Sequence, residues 1–294
     1  ALLYSILATI RALFGNYDII HYHAEGPCAM LWLPHLFGIR TVATIHGLDW
    51  QRAKCGGLAT KYIKFGEKIA AKYADEIIVL SKGVEKYFKE TYGRNTNFIP
   101  NGVNKPTIRK PRIIKEKYGL NEDSYILFLA RIVPEKGLHY LIQAYEKIKT
   151  NKKLVIAGGA SHTNDYLEKI KKLANEDSRI IMTGFVQGEE LEELYSNCYI
   201  YCLPSELEGM SLSLLEAMSY GKNCLISDIP ENITVCEKYA ITFQKGNIYS
   251  LKKKIEECLN SNVGYKPEEI SSFILNKYNW NNVVDQTIRL YENK

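Results

Sequence analysis

Residues 198–222 read CYIYCLPSELEGMSLSLLEAMSYGK. The opening run, 198–203, reads as a short strand with no polar face. From Ser211 onward the pattern turns helical. Leu212, Leu215 and Met218 supply one apolar side, Ser211 or Ser213 stands where a cap belongs, and Gly221 ends the helix. A strand buried on both faces and followed at once by a helix belongs to a parallel sheet covered by helices. In such a sheet the turn between them, LEGM, lies at the carboxyl edge. There the free N–H groups and the positive dipole end of the next helix favour an anion.

The same alternation runs outward in both directions. Upstream, YDIIHYH (17–23), RTVATIH (40–46), DEIIVL (75–80) and TNFIP (96–100) read as strands, with helices over 26–37, 58–74 and 82–91. In the second of these helices Tyr62, Ile63, Phe65, Ile69, Ala70 and Tyr73 follow the 3.6 period. Beyond residue 112, strands are expected at 125–130, 153–157, 179–182, 198–203, 223–227 and 240–243, each followed by a helical stretch. The expected fold is α/β with two doubly wound, Rossmann-like domains. NGVNKPTIRKPR (101–112) separates the two series, with prolines, basic residues and no apolar period. Its basic character continues through Lys115 and Lys117, so it reads either as a solvated linker or as a basic lip on a cleft. The tail 271–294 reads as two helices broken near Tyr278–Asn282, the last with Trp280, Val283, Val284, Ile288 and Leu290 to bury. ALLYSILATIRALF (1–14) is too short to span a bilayer and reads as a helix packed in a core. It has neither the basic leader nor the cleavage site of a signal peptide.

Composition narrows the class. The 294 residues are 46% hydrophobic and 24% charged, a globular profile. A net charge of +5 fits an anionic ligand or an acidic membrane surface and is too small to imply nucleic acid. The seven cysteines (Cys28, Cys55, Cys198, Cys202, Cys224, Cys236, Cys258) are odd in number and form no CxxC. Several lie in strand-like runs and read as core residues, and the set fits a protein kept in a reducing cytosol.

Four segments carry chemistry. In the quoted stretch, Gly209 lets a ligand approach the backbone, Glu208 stands at the mouth of the anion site, and Glu216 lies one to two turns further in. Taken alone this is equally an ordinary helix start with a solvent-facing glutamate. In FLARIVPEKGLHYLIQAY (128–145), Arg131 and Lys136 bracket the loop after a strand at the same edge, which suits a diphosphate departing with extra charge. In TIHGLDWQRAKCGG (44–57), His46 ends a strand and Asp49, Trp50, Gln51 and Arg52 follow. That loop is either sugar-binding or a capped strand end with a buried indole. AGGAS (157–161) and TGFV (183–186) place glycines at the same edge, where Gly184 and Phe185 could meet a nucleotide base. No GxGxxG occurs, which argues against a nicotinamide dehydrogenase.

Together and in this order, these segments resemble the family-4 retaining glycosyltransferases over essentially the whole chain. IPNGV (99–103), ARIVPEKG (130–137), TGFV (183–186) and the Glu-x7-Glu of Glu208 and Glu216 carry the resemblance. HGLDWQRAKCGG (46–57) looks like a bacterial surface-polysaccharide subgroup of rhamnosyl- or galactosyl-type enzymes. The resemblance implies a GT-B architecture with the active site in a cleft. It divides the chain into an acceptor-side domain (1–103), a nucleotide-sugar domain (104–277) and a segment (278–294) crossing back. Arg131 and Lys136 would bind the diphosphate and Glu208 the donor-sugar hydroxyls. The backbone of Gly209, Met210, Ser211 and Leu212 would lie beside them, with Glu216 on the ribose and His46 near the reacting centre. The donor is a substrate, so no cofactor is expected, and the two cations stand where a metal would. A saccharide or lipid-linked acceptor is expected, with cytoplasmic location and peripheral contact at the inner membrane face. Members of the family begin with a strand and a glycine-rich loop; none precedes the first helix here, so the first domain is expected to be partial. A sugar-nucleotide epimerase and a non-catalytic nucleotide-sugar binder remain as alternatives.

Overall fold

The computed structural model describes residues 2–51, 56–160, 164–261 and 264–292; Arg52, Cys55 and Ser161 lie outside the described residues. In chain order the elements begin with α1 (Leu2–Leu13), β1 (Ile19–His23), α2 (Glu25–Cys28), α3 (Trp32–Leu36) and β2 (Arg40–Ile45). They continue with α4 (Gly57–Tyr73), β3 (Glu76–Val79), α5 (Lys82–Tyr92), β4 (Asn97–Phe98), α6 (Ile113–Tyr118) and β5 (Tyr125–Leu129). Next come α7 (Leu138–Tyr145), β6 (Lys153–Ala157), α8 (Asn164–Asn175), β7 (Ile180–Gly184), α9 (Gly188–Asn197) and β8 (Ile200–Leu203). The chain ends through α10 (Leu212–Ser219), β9 (Cys224–Ser227), α11 (Pro230–Cys236), β10 (Ile241–Phe243), α12 (Ile248–Asn260), α13 (Pro267–Lys277) and α14 (Trp280–Glu292).

Two compact units result: Ala1–Asn101 with Trp280–Lys294, and Gly102–Asn279. Every strand pair in both is parallel. The first unit has the order β1-β2-β3-β4 and the second β10-β9-β8-β5-β6-β7. In the second sheet β5, its first strand in chain order, sits inside, with β8 on one side and β6 on the other. The direction of winding therefore reverses between β5 and β8, and an open crevice is left beyond their carboxyl ends.

Side-chain alternation explains why these strands read as unbroken apolar runs. Tyr125 and Leu127 face one core, while Ile126 and Phe128 face the other. Tyr201 with Leu203, and Ile200 with Cys202, divide in the same way. All six described cysteines are buried and unpaired, Cys202 and Cys224 within strands.

Three elements depart from expectation. α1 turns its small polar residues inward: Ser5 and Thr9 are buried, and Thr9 Oγ1 lies 3.0 Å from the Tyr22 hydroxyl. Leu2, Leu3, Tyr4, Leu7 and Phe14 are exposed instead. α14 buries no residue fully; Val283, Leu290 and Tyr291 pack against Val42, Ile78 and Ile99, while Val284 and Ile288 stay exposed. Part of the basic stretch after residue 101 is tied to α9, while Lys105, Lys110 and Lys115 stay exposed. Arg109 pairs with Glu189 and Glu192, Arg112 with Glu189, and Lys117 with Glu190, all on α9. From the same helix the buried Glu193 accepts from the backbone N–H groups of Arg112 and Ile114 at 3.0 Å each, which fastens the start of α6.

Candidate active site

The crevice between β5 and β8 is framed by the loops that follow those strands. After β5 the chain makes a tight turn over Pro134–Lys136 and leaves through Gly137 at φ 65°. A side chain at Gly137 would run into the carbonyl oxygen of Pro204, so glycine is what lets the two loops touch. Three bonds then join them. Glu206 N–H donates to the Glu135 carbonyl at 2.8 Å, and the Tyr140 hydroxyl donates to Glu206 Oε1 at 2.5 Å. Lys136 Nζ meets Glu208 Oε1 at 2.5 Å.

That last pair is well shielded, with side-chain exposures of 11% for Lys136 and 6% for Glu208. The Ser205 hydroxyl donates to the same carboxylate oxygen at 2.6 Å. Lys136 and Glu208 were expected to serve different parts of one ligand; here they pair directly with each other. A lysine ammonium carries three donors, so two of the N–H groups of Lys136 remain for other acceptors beside Glu208.

α10 begins directly behind Glu208. Ser211 occupies its cap position, but its side chain makes no capping bond. Its hydroxyl lies 3.2 Å from that of Ser213, and Ser213 lies 2.8 Å from the Tyr201 hydroxyl. The first turn thus keeps its amides unused by the local serines, which is what an anion site needs. Met210 is partly buried against the core and Leu212 is half exposed. Glu216, one turn on, accepts from the Tyr195 hydroxyl at 2.8 Å. Burial raises its pKa, and the Tyr195 bond partly opposes this.

The neighbouring loops reach the same edge. Gly158, at φ 142°, packs so tightly on the Ala130 carbonyl that no Cβ fits, and its N–H donates to Gly184 O at 2.8 Å. Ile132 N–H donates to Gly159 O at 2.9 Å. These contacts bring exposed Arg131, Gly159, Gly184 (φ 73°) and the largely exposed Phe185 to one rim. Sequence reasoning missed Tyr140, Ser205 and Glu206. Only the Glu-rich run SELE hinted at them, because the partner tyrosine lies 66 residues away.

His46 belongs to the other unit and has its own surroundings. His21 and His23 project from the same face of β1, and their rings stack at 4.3 Å. His23 Nδ1 lies 3.1 Å from His46 Nε2. His21 is held by the Tyr291 hydroxyl at 2.6 Å and Thr44 at 2.7 Å. Burial and then the neighbouring imidazoles lower its pKa to about 4, so it stays neutral. The three rings floor a hollow of about 440 Å³ walled by apolar residues, among them Ile78, Ile99, Trp280 and Val283.

The loop after His46 is not free to present its indole to a sugar through nitrogen. Trp50 Nε1 donates to Glu67 at 3.0 Å, and the same carboxylate accepts from Tyr87 at 2.8 Å and Tyr92 at 2.5 Å. Beside it, wholly buried Glu25 accepts from the Asp49 N–H at 2.8 Å. Burial, together with the adjoining Glu67, pushes the Glu25 carboxyl up to about 9.

The profile of the glycosyl transferases group 1 matches residues 111–280, which hold the whole β5–β8 crevice. The chain belongs to this glycosyltransferase group. A glycosyltransferase family 4 profile matches residues 1–105. An uncharacterized glycosyltransferase of Methanocaldococcus jannaschii is 26% identical over 305 residues, covering 94% of this chain and 75% of the relative. The UDP-Gal:alpha-D-GlcNAc-diphosphoundecaprenol alpha-1,3-galactosyltransferase of Escherichia coli is 29% identical over 232 residues, 74% of this chain and 59% of that enzyme. Among solved structures, Anabaena HepE in complex with UDP-glucose superposes with a TM-score of 0.85 at 16% identity, over 97% of this glycosyltransferase and 80% of HepE. That likeness concerns the fold, two Rossmann-like units of the GT-B type.

Proposed function

We propose that this glycosyltransferase is a retaining, metal-independent enzyme that moves a hexosyl or rhamnosyl group from a nucleoside-diphosphate sugar to a lipid-linked or polysaccharide acceptor. Residues 104–277 take the donor, residues 1–103 take the acceptor side, and 278–294 cross back. Arg131 and Lys136 bind the diphosphate and stabilise the charge that grows on it as it leaves. Glu208 accepts from donor-sugar hydroxyls. The backbone from Gly209 to Leu212 lies beside the phosphates, and Glu216 receives the ribose. Gly184 and Phe185 lie against the base, and His46 serves the donor sugar near the reacting centre. The departing phosphate takes the proton of the acceptor hydroxyl on the same face, so configuration is retained.

The observation that carries this reading is the shielded Lys136–Glu208 pair at the point where the sheet reverses, directly ahead of an uncapped helix start. The galactosyltransferase relative, whose name specifies a diphosphoundecaprenol-linked acceptor, supports the lipid-linked class. No described helix is long and apolar enough to cross a membrane. Contact with the inner membrane face is proposed as peripheral, with the enzyme on the cytoplasmic side.

Lys136→Ala and Glu208→Ala each lower transfer by roughly 10²-fold or more while the fold persists. A screen of nucleotide sugars by thermal shift identifies base and sugar together through mass action. Full transfer by both variants would falsify the site.

A further inference from the structure

Arg109, Arg112 and Lys117 of the basic stretch are taken up by α9, and a denser row of unpaired charge lies elsewhere. α4 supplies it. Lys61, Lys64, Lys68 and Lys72 recur every three or four residues and are all exposed, so they share one side of the helix. Leu58 and Phe65 stand among them, 85% and 51% exposed. The only carboxylate on the helix, Glu67, is wholly buried and points to the opposite side. Among the described residues none of the four lysines has an ion-pair partner. Lys64 and Lys72 lie over the rings of Trp50 and Tyr73, contacts that leave their charge in place. On α5, by contrast, Lys82 and Lys86 are paired with Glu85 and Glu90. Two further apolar side chains, Leu36 and Phe37, are each 69% exposed at the end of α3, whose His35 ring packs against Tyr73 in the last turn of α4.

We propose that this face of α4 docks the glycosyltransferase on an anionic lipid surface. A row of ammonium groups with no ion-pair partner among the described residues matches a negatively charged headgroup layer. Lysine stems lie along the interface while bulky apolar side chains enter the acyl boundary. A face of this composition left in water exposes apolar area without return, and a paired protein surface would need acidic partners at the same helical spacing. The proposal deepens the lipid-linked reading by assigning its membrane contact. It is tested without donor or acceptor, so it stands or falls apart from the transfer reaction.

The test is cosedimentation of the purified chain with vesicles of phosphatidylcholine alone and of phosphatidylcholine mixed equally with phosphatidylglycerol. The chain is expected on the mixed vesicles only, with binding that weakens as salt rises. Each lysine removed lowers the partition coefficient roughly fivefold, so the double reversal Lys61→Glu with Lys68→Glu lowers it roughly 25-fold or more. Phe65→Ser lowers it roughly tenfold with no change in charge. A control reversal of two exposed lysines in the other unit, Lys149→Glu with Lys253→Glu, changes net charge equally and leaves most of the binding. All variants are compared at equal helical content by circular dichroism. The proposal is overturned if the wild type ignores mixed vesicles, if the α4 variants bind as it does, or if the control loses as much. It is equally overturned if Phe65→Ser dissolves a dimer in sedimentation velocity, since the face then joins two copies.

Discussion

Replacing Glu25 by glutamine is expected to stabilise the first unit at neutral and alkaline pH. The folded chain keeps a proton on Glu25 up to about pH 9, whereas the unfolded chain releases it near 4.5. Between those values the unfolded state binds one proton fewer, so stability falls by about 1.4 kcal/mol per pH unit. It is fully present below 4.5 and lost as pH climbs towards 9. By pH 7 two and a half units have passed, a loss of about 3 kcal/mol that a glutamine does not suffer. The substituted amide can still accept from the Asp49 N–H and donate towards Glu67, which already receives three donors. The assay is urea unfolding followed by tryptophan fluorescence. All three tryptophans, Trp32, Trp50 and Trp280, belong to the first unit, so the signal reports that unit alone. Comparing variant with wild type cancels other titrations such as His21, whose lowered pKa gives stability that is lost as pH falls from 6.5 towards 4. The two proteins should differ little at about pH 5 and by about 5 kcal/mol at about pH 8. Parallel pH profiles would refute the assignment of the proton to Glu25.

Further expectations concern single contacts. Tyr140→Phe removes only the hydroxyl that holds Glu206; turnover should fall roughly tenfold while stability drops by about 1–2 kcal/mol, and unchanged steady-state kinetics would dismiss the brace. Gly66→Ala drives a methyl group into the Glu25 carbonyl where α2 crosses α4, and should cost about 3 kcal/mol or more by the same fluorescence assay. Glu193→Ala strands two backbone N–H groups at the start of α6; a loss of about 3 kcal/mol is expected in the second unit, read by far-ultraviolet circular dichroism.

The α/β architecture could be read because buried parallel strands are short apolar runs, and each run in the sequence became a strand within a few residues. The candidate cations and carboxylates were legible too, since their place after a strand puts them at one edge whatever the loops do. What could not be read was pairing across long separations. Tyr140 finds Glu206 and Glu25 lies beside Glu67 only after whole elements have packed. The composition of 101–117 declares its charge but not the acidic face of α9 that takes up part of it. Ser211 shows the limit of local rules: it stands at the cap position, yet its hydroxyl turns to Ser213. α1 inverts the usual sorting of polar and apolar positions, and periodicity alone does not say which side of a helix faces inward.

The first unit is assembled from two stretches of chain separated by the whole of the second. On a ribosome, residues 2–101 emerge long before α14, so the sheet face of Val42, Ile78 and Ile99 waits uncovered while 178 residues are added. The second unit is continuous and can close as soon as it is made. A chain that stops short of Trp280 would therefore carry a finished second unit and an unfinished first one, and the first is where a chaperone or protease would find its grip.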